Sequence, residues 1–134
     1  MMRCVPVFCL FCGLVSASLA NAAVYSCTFK AAGRDPYVSK SVTFDIDAQK
    51  MRATVFDALV ANKHGGPIPA RITNRDSKSW SIFWEVEVPF KKNRTSQADY
   101  QVIFRHTKGT ASMTAHIPGN FEPSRGRGTC KQTG

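Results

Sequence analysis

The chain has 134 residues, with 18 Lys and Arg against 9 Asp and Glu, for a formal net charge of +9. Hydrophobic residues make up 43%, which is too many for a disordered chain and enough for one packed core. The basic excess favours acidic partners and disfavours cationic ones.

Residues 1–22 read as a secretory signal. Arg3 gives the positive start, and Val5 to Ala17 is an apolar run broken only by Pro6, Gly13 and Ser16. Ser18-Leu19-Ala20-Asn21-Ala22 offers small residues for cleavage. Cleavage after Ala22 fits best, and cleavage after Ala20 also fits. The run is shorter than the ~20 apolar residues that a membrane span needs, and nothing later approaches that length. Residues 23–134 are then expected to form a single soluble β domain, periplasmic or secreted. They hold 17 Lys and Arg against 9 Asp and Glu, or +8.

The signal also settles the cysteine count. Cys4, Cys9 and Cys12 fall inside it, which leaves Cys27 and Cys130. Two cysteines in an exported chain are expected to pair. Closing a loop that long is worth about 4–5 kcal/mol in the chain-entropy model.

Next come short stretches that alternate with period two, and none holds helical periodicity for three turns. Val24 to Lys30 is a first strand. Val38, Val42, Phe44 and Ile46 share one face, and Met51, Ala53, Val55 and Leu59 another. A turn at Asp47-Ala48-Gln49-Lys50 would set Ile46 opposite Met51, Phe44 opposite Ala53 and Val42 opposite Val55. The same register would pair Asp45 with Arg52 outside and Lys40 with Asp57 inside. Pro67-Ile68-Pro69 limits pairing, with a short strand expected at Ala70 to Thr73. Trp80 to Val88 is the strongest strand, with Trp80, Ile82, Trp84, Val86 and Val88 facing inward. A second hairpin is expected to close at Lys108-Gly109, with Phe104 opposite Met113, Val102 opposite Ala115 and Tyr100 opposite Ile117. Pro118 to Arg127 is rich in breakers and reads as irregular chain pinned by Cys130. The fold class is all-β: an antiparallel meander of about six to eight strands, as a closed barrel (lipocalin-like or lysozyme-inhibitor-like) or a sandwich.

Catalytic constellations are missing from the sequence. His64, His106 and His116 do not share a face, so no metal site is expected. Asp45 with Asp47 and Glu85 with Glu87 are acid pairs on solvated strand faces, and Asp57 is expected in a salt bridge at the rim. There is no G-x-S-x-G and no S-x-x-K. Gly65-Gly66-Pro67 is a turn, since no Gly-Lys-Ser/Thr follows it. No cofactor is expected. Asn93-Arg94-Thr95 matches a glycosylation acceptor, relevant only in a eukaryotic secretory pathway.

The positive signal lies in basic segments. Lys91, Lys92 and Arg94 follow the tryptophan strand, Arg71, Arg75 and Lys78 precede it, and Arg125 and Arg127 lie near the C-terminus. If they converge, they form a cationic mouth over an aromatic floor of Trp80 and Trp84; the alternative is solvated loops over an ordinary core that these tryptophans fill.

Three motifs carry a resemblance: Tyr25-Ser26-Cys27-Thr28-Phe29, Gly65-Gly66-Pro67-Ile68 and Gly128-Thr129-Cys130. By them the chain resembles small exported alphaproteobacterial proteins of unknown function with one terminal-to-terminal disulfide. That resemblance implies a periplasmic or secreted location and brings no site residues. Through Tyr25, Cys27 and Cys130 the chain is also similar to C-type lysozyme inhibitors, which close a small β-barrel with a disulfide. The serine and lysine binding loop of those inhibitors has no counterpart in this sequence. The expectation is a non-enzymatic binding module whose basic face meets an anionic glycan, a lipid headgroup or an acidic protein, with no nucleic acid. The alternative is a protein inhibitor of an envelope or foreign hydrolase such as lysozyme.

Overall fold

A computed structural model describes residues 22–134. The candidate signal, up to Asn21, lies outside the described residues. The strands are β1 (Ala22–Ala31), β2 (Ser41–Asp47), β3 (Arg52–Asp57), β4 (Ile68–Asp76), β5 (Ser79–Phe90), β6 (Arg94–Arg105), β7 (Thr110–His116) and β8 (Ser124–Gln132). Each pairs antiparallel with the next, and β8 pairs with β1, so the meander is a closed barrel. Closure protects the sheet edges except at β4, which pairs with β3 only over residues 68–70 and with β5 only over residues 71–76. The Cys27–Cys130 disulfide crosses the closing seam, where the two residues are direct partners.

The inward faces follow the period-two pattern. Ile82, Trp84, Val86 and Val88 of β5 are buried, while Glu85 and Glu87 are exposed. The interior is filled. Trp84 stacks on Tyr100 with 5.2 Å between ring centroids, and Phe44 meets Trp84 edge-on at 5.6 Å. Tyr25, Trp80 and Phe104 form a second aromatic group. The tryptophan face is therefore core, not the floor of an open mouth.

Several sequence expectations need correction. Both hairpins keep their predicted faces, but their registers differ. Phe44 lies opposite Val55 and Ile46 opposite Ala53, so Asp47, not Asp45, faces Arg52. The turn chemistry decides this. The Asp47 carboxylate accepts the N–H groups of Gln49 and Lys50, both at 3.1 Å, and Met51 takes a left-handed φ of 50°. In the second hairpin Tyr100 faces Ala115 and Phe104 faces Ala111. Its loop is closed by Gly109, with φ 73°, donating to the carbonyl of Arg105. In both cases the shift conserves the inward face because the side-chain period is two.

The expected short strand at Ala70 to Thr73 is the middle of the longer β4. Only Ile68, Pro69 and Ala70 pair with β3; this short ladder includes Pro69 and stops before the proline-free stretch from Arg71, so the prolines do not by themselves set its length. Leu59 belongs to no strand. It lies in α1 (Ala58–His64), capped by the Asp57 carboxylate, which accepts from Val60 N–H at 2.8 Å. Asp57 also accepts from the Ser39 hydroxyl at 2.8 Å and is only 3% exposed. It faces Val42 across the sheet rather than making the rim pair with Lys40.

A further correction concerns the C-terminal segment. Pro118 to Pro123 is irregular connection as expected, but from Ser124 the chain is the closing strand β8, laddered to β7 on one side and to β1 on the other. Its glycines make that possible. A Cβ on Gly128 would lie 2.0 Å from the Thr28 carbonyl oxygen and 2.8 Å from the Phe29 ring. A Cβ on Gly126 would lie 2.6 Å from Val38. The interior side of β8 is thus filled by Phe29 and Val38, reaching over the glycines.

Candidate functional site

Alternation on β8 turns Arg125, Arg127, Thr129 and Lys131 outward, while Ser124, Gly126 and Cys130 are buried. The β1–β8 register places Lys30 opposite Arg127, Thr28 opposite Thr129 and Ser26 opposite Lys131. On the other flank, Ser112 faces Arg127 and Thr114 faces Arg125. Arg105 of β6 reaches onto β7, its Nη1 donating to the Ser112 hydroxyl at 3.5 Å.

This wall carries no acid. Strands β7, β8 and β1 contain no Asp or Glu. Asp45, Asp47, Asp57, Asp76, Glu85, Glu87 and Asp99 all lie on β2 to β6, and Asp35 and Glu122 lie in connections. Charge is therefore segregated around the barrel. Two shallow grooves flank Arg127. One, of about 440 Å³, is lined by Lys30, Ser112, Thr114, Arg125 and Gly126 among others. The second, of about 340 Å³, is lined by Thr28, Lys30, Gly128 and Thr129 among others.

Of the sequence candidates, Arg125 and Arg127 belong to this wall. Lys91, Lys92 and Arg94 sit at the β5–β6 turn, at the same end of the barrel as α1. Lys91 Nζ lies 5.2 Å from the centre of the Phe90 ring. Arg75 and Lys78 are at the opposite end, by the β4–β5 turn. There the Lys78 N–H and Ser79 hydroxyl hold the Asp76 carboxyl below its ordinary range, and Arg75 stands 3.9 Å from it. Arg71 lies in mid-strand over Phe83, at 5.1 Å. The eight predicted cations thus do not converge on one rim. Sequence reading missed Lys30, which the β1–β8 closure sets opposite Arg127, Arg105, which bonds to Ser112 beside Arg127, and Lys131, farther along β8 on the same side.

A larger cleft, about 760 Å³, opens where β4 leaves β5 for β3, and His64, Arg71, Phe83, Glu85 and Asp99 are among its lining residues. Its charges are mixed. Glu85 and Asp99 oppose each other across β5 and β6, and Glu85 accepts from Gln97 Nε2 at 2.7 Å. Glu87 is drawn below its ordinary range by Lys63, whose ammonium stands 2.6 Å from it. Trp84 also lines this cleft, and its buried Nε1–H has no acceptor among the described residues.

The histidines stay apart. His106 stacks on Trp80 at 4.0 Å. His116 is exposed and faces Asp99, not Gln101 as the expected register would have it. His64 ends α1. Among the described residues, no group of three His, Cys, Asp or Glu is placed to hold a metal ion. Comparison with known proteins found no matching family model, no matching curated protein and no matching solved structure.

Proposed function

We propose that this chain is an exported, non-enzymatic binding module whose β7–β8–β1 wall contacts an anionic partner. One observation carries the reading: three adjacent strands lack any carboxylate and turn Lys30, Arg125, Arg127 and Lys131 outward together. Like charges directly opposite each other across strands disfavour the fold. A surface kept for solubility alone intersperses its signs. An uncompensated basic wall attracts anions and speeds their encounter, most strongly at low salt.

The test compares two variants of equal charge change. One carries Lys30→Ser, Arg125→Ser and Arg127→Ser, and the other Arg71→Ser, Arg75→Ser and Lys78→Ser. Binding to immobilised dextran sulfate at moderate salt should fall in the first and change little in the second. Equal losses would remove the wall as the site and leave only net charge.

The terminal disulfide on a small closed barrel supports a second reading, by analogy of fold alone. This is a stoichiometric inhibitor of a lysozyme-type hydrolase. A panel of lysozymes that keep full activity at a molar excess of the protein would dismiss it.

A further inference from the structure

We infer that the partner is an extended acidic polysaccharide lying along β8, an inference that rests on the basic wall being the binding face. The cations form a line. Arg125, Arg127 and Lys131 share one side of a single strand, so at ~3.3 Å per residue the row spans about 20 Å. Lys30 stands beside its centre, and Arg105 reaches toward the same region through Ser112. The grooves on either side of Arg127 share Lys30 and Arg127 and follow one another along the strand. They make one shallow track.

The spaces between the charges hold hydroxyl groups. Thr28, Thr129, Ser112 and Thr114 all face outward, exposed or half-exposed. Hydroxyls suit the ring and hydroxyl oxygens of a sugar chain, with the cations meeting its carboxylate, sulfate or phosphate groups. The wall offers a bilayer little. No large apolar side chain is exposed on these three strands, whereas stable interfacial binding combines charge with buried apolar groups. The fully exposed Phe121 sits in the β7–β8 connection at the end of the wall, a single apolar side chain next to the acidic Glu122. A single-stranded nucleic acid would want a run of aromatic stacking platforms, and no Phe, Tyr or Trp ring is exposed on the wall, which offers only the imidazole of His116 at the end of β7.

The experiment uses the protein spanning residues 23–134 and four probes at matched salt. These are dextran sulfate fractions of graded length, neutral dextran, single-stranded DNA, and vesicles of phosphatidylglycerol and phosphatidylcholine. Affinity for dextran sulfate should rise with length and level off once the chain covers the track. Neutral dextran should not bind. Arg127→Ser should weaken binding about two- to fivefold and make its log–log salt dependence less steep, because one fewer cation releases counterions. Arg127→Lys should retain most of the affinity, and the melting temperature of each variant reports its fold. Vesicle binding without dextran sulfate binding would overturn the polysaccharide while leaving the basic wall in place. DNA binding as tight as that of dextran sulfate would also overturn it. No binding to any anionic probe would overturn both.

Discussion

Lys30 stands directly opposite Arg127 across the seam that closes the barrel. Both side chains are exposed, and no carboxylate lies on β1, β8 or the neighbouring β7. A cross-strand pair of like charge opposes folding, by roughly 0.2–1 kcal/mol. The same seam carries the Cys27–Cys130 bond, three residues away on each strand, with 4.0 Å between Cα atoms. The covalent link fixes the register that forces the two cations together.

The stability of Arg127→Ser should therefore move opposite to its binding. At low ionic strength the variant should unfold at a higher denaturant concentration than the wild type, by up to about 1 kcal/mol in free energy. In ~1 M salt, where screening acts within about 3 Å, the difference should vanish. A loss of stability at low salt would mean that Arg127 serves the fold.

Removing the disulfide should lower stability without dissolving the barrel. The two cysteines are 103 residues apart, which places the chain-entropy contribution at about 4–5 kcal/mol. Yet β8 is laddered on both sides, and Val24 N–H donates to the Gly134 carbonyl at 2.9 Å beyond the seam. The Cys27→Ala/Cys130→Ala variant should keep its far-ultraviolet circular dichroism at room temperature and melt earlier. An unchanged melting temperature would show that the bond adds nothing.

Gly128 tests the packing of the closing strand. Alanine there would bring a Cβ against the Thr28 carbonyl and the Phe29 ring. Overpacking of this kind typically costs about 1–3 kcal/mol, and the fixed backbone oxygen favours the upper end. Gly66 is the control, because nothing lies within 4 Å of the Cβ it would gain. Denaturant midpoints should drop for Gly128→Ala and stay put for Gly66→Ala.

The glycines also explain what the sequence conceals. On β2, β5 and β6 the inward positions are apolar, so alternation shows both the strand and its buried face. On β8 the inward positions are Ser124, Gly126, Gly128 and Cys130, and their hydrophobic cover comes from Phe29 and Val38. A strand whose interior side is filled by its neighbours carries no apolar period of its own. It looks like loop, and the site on its outer side looks like two loose arginines. The Lys30–Arg127 pairing depends on contacts far apart in sequence, so no local pattern announces it. Hairpin faces were legible for the opposite reason. An error of two residues in register leaves every inward residue inward, and only turn geometry at Asp47 and Gly109 sets the actual pairs.

Asp57 ties three pieces of chain together, so its loss should exceed that of an ordinary helix cap. Its two oxygens accept from Val60 N–H and from the Ser39 hydroxyl. An Ala in its place removes a cap worth about 1 kcal/mol and leaves the buried Ser39 hydroxyl without its acceptor, at about 1–3 kcal/mol more. Asp57→Asn keeps an acceptor and should recover part of the loss. Faster hydrogen exchange at the Val60 amide in Asp57→Ala would confirm that the cap is what was lost. Unchanged exchange there would assign the effect elsewhere.

Tyr100 gives the barrel an alkaline limit. Its hydroxyl donates to the Tyr37 carbonyl at 2.7 Å. Burial raises its pKa well above the ordinary 10.0, and the negative charges of Asp57 and Asp35 and the neighbouring Tyr37 push the same way. The folded state therefore holds this proton more tightly than the unfolded chain does. The stability it contributes is complete below pH ~10, where the phenol is neutral in both states. Above that pH the unfolded chain ionises first, and the stability falls as pH rises toward the folded value. Tyr100→Phe cannot ionise at this site. It should be less stable at neutral pH by about 1 kcal/mol, the contribution of one hydrogen bond, and it should lose less stability than the wild type between pH ~10 and ~12. Urea midpoints measured across that range for both proteins would decide it. Parallel curves would mean that the alkaline limit is set by other groups.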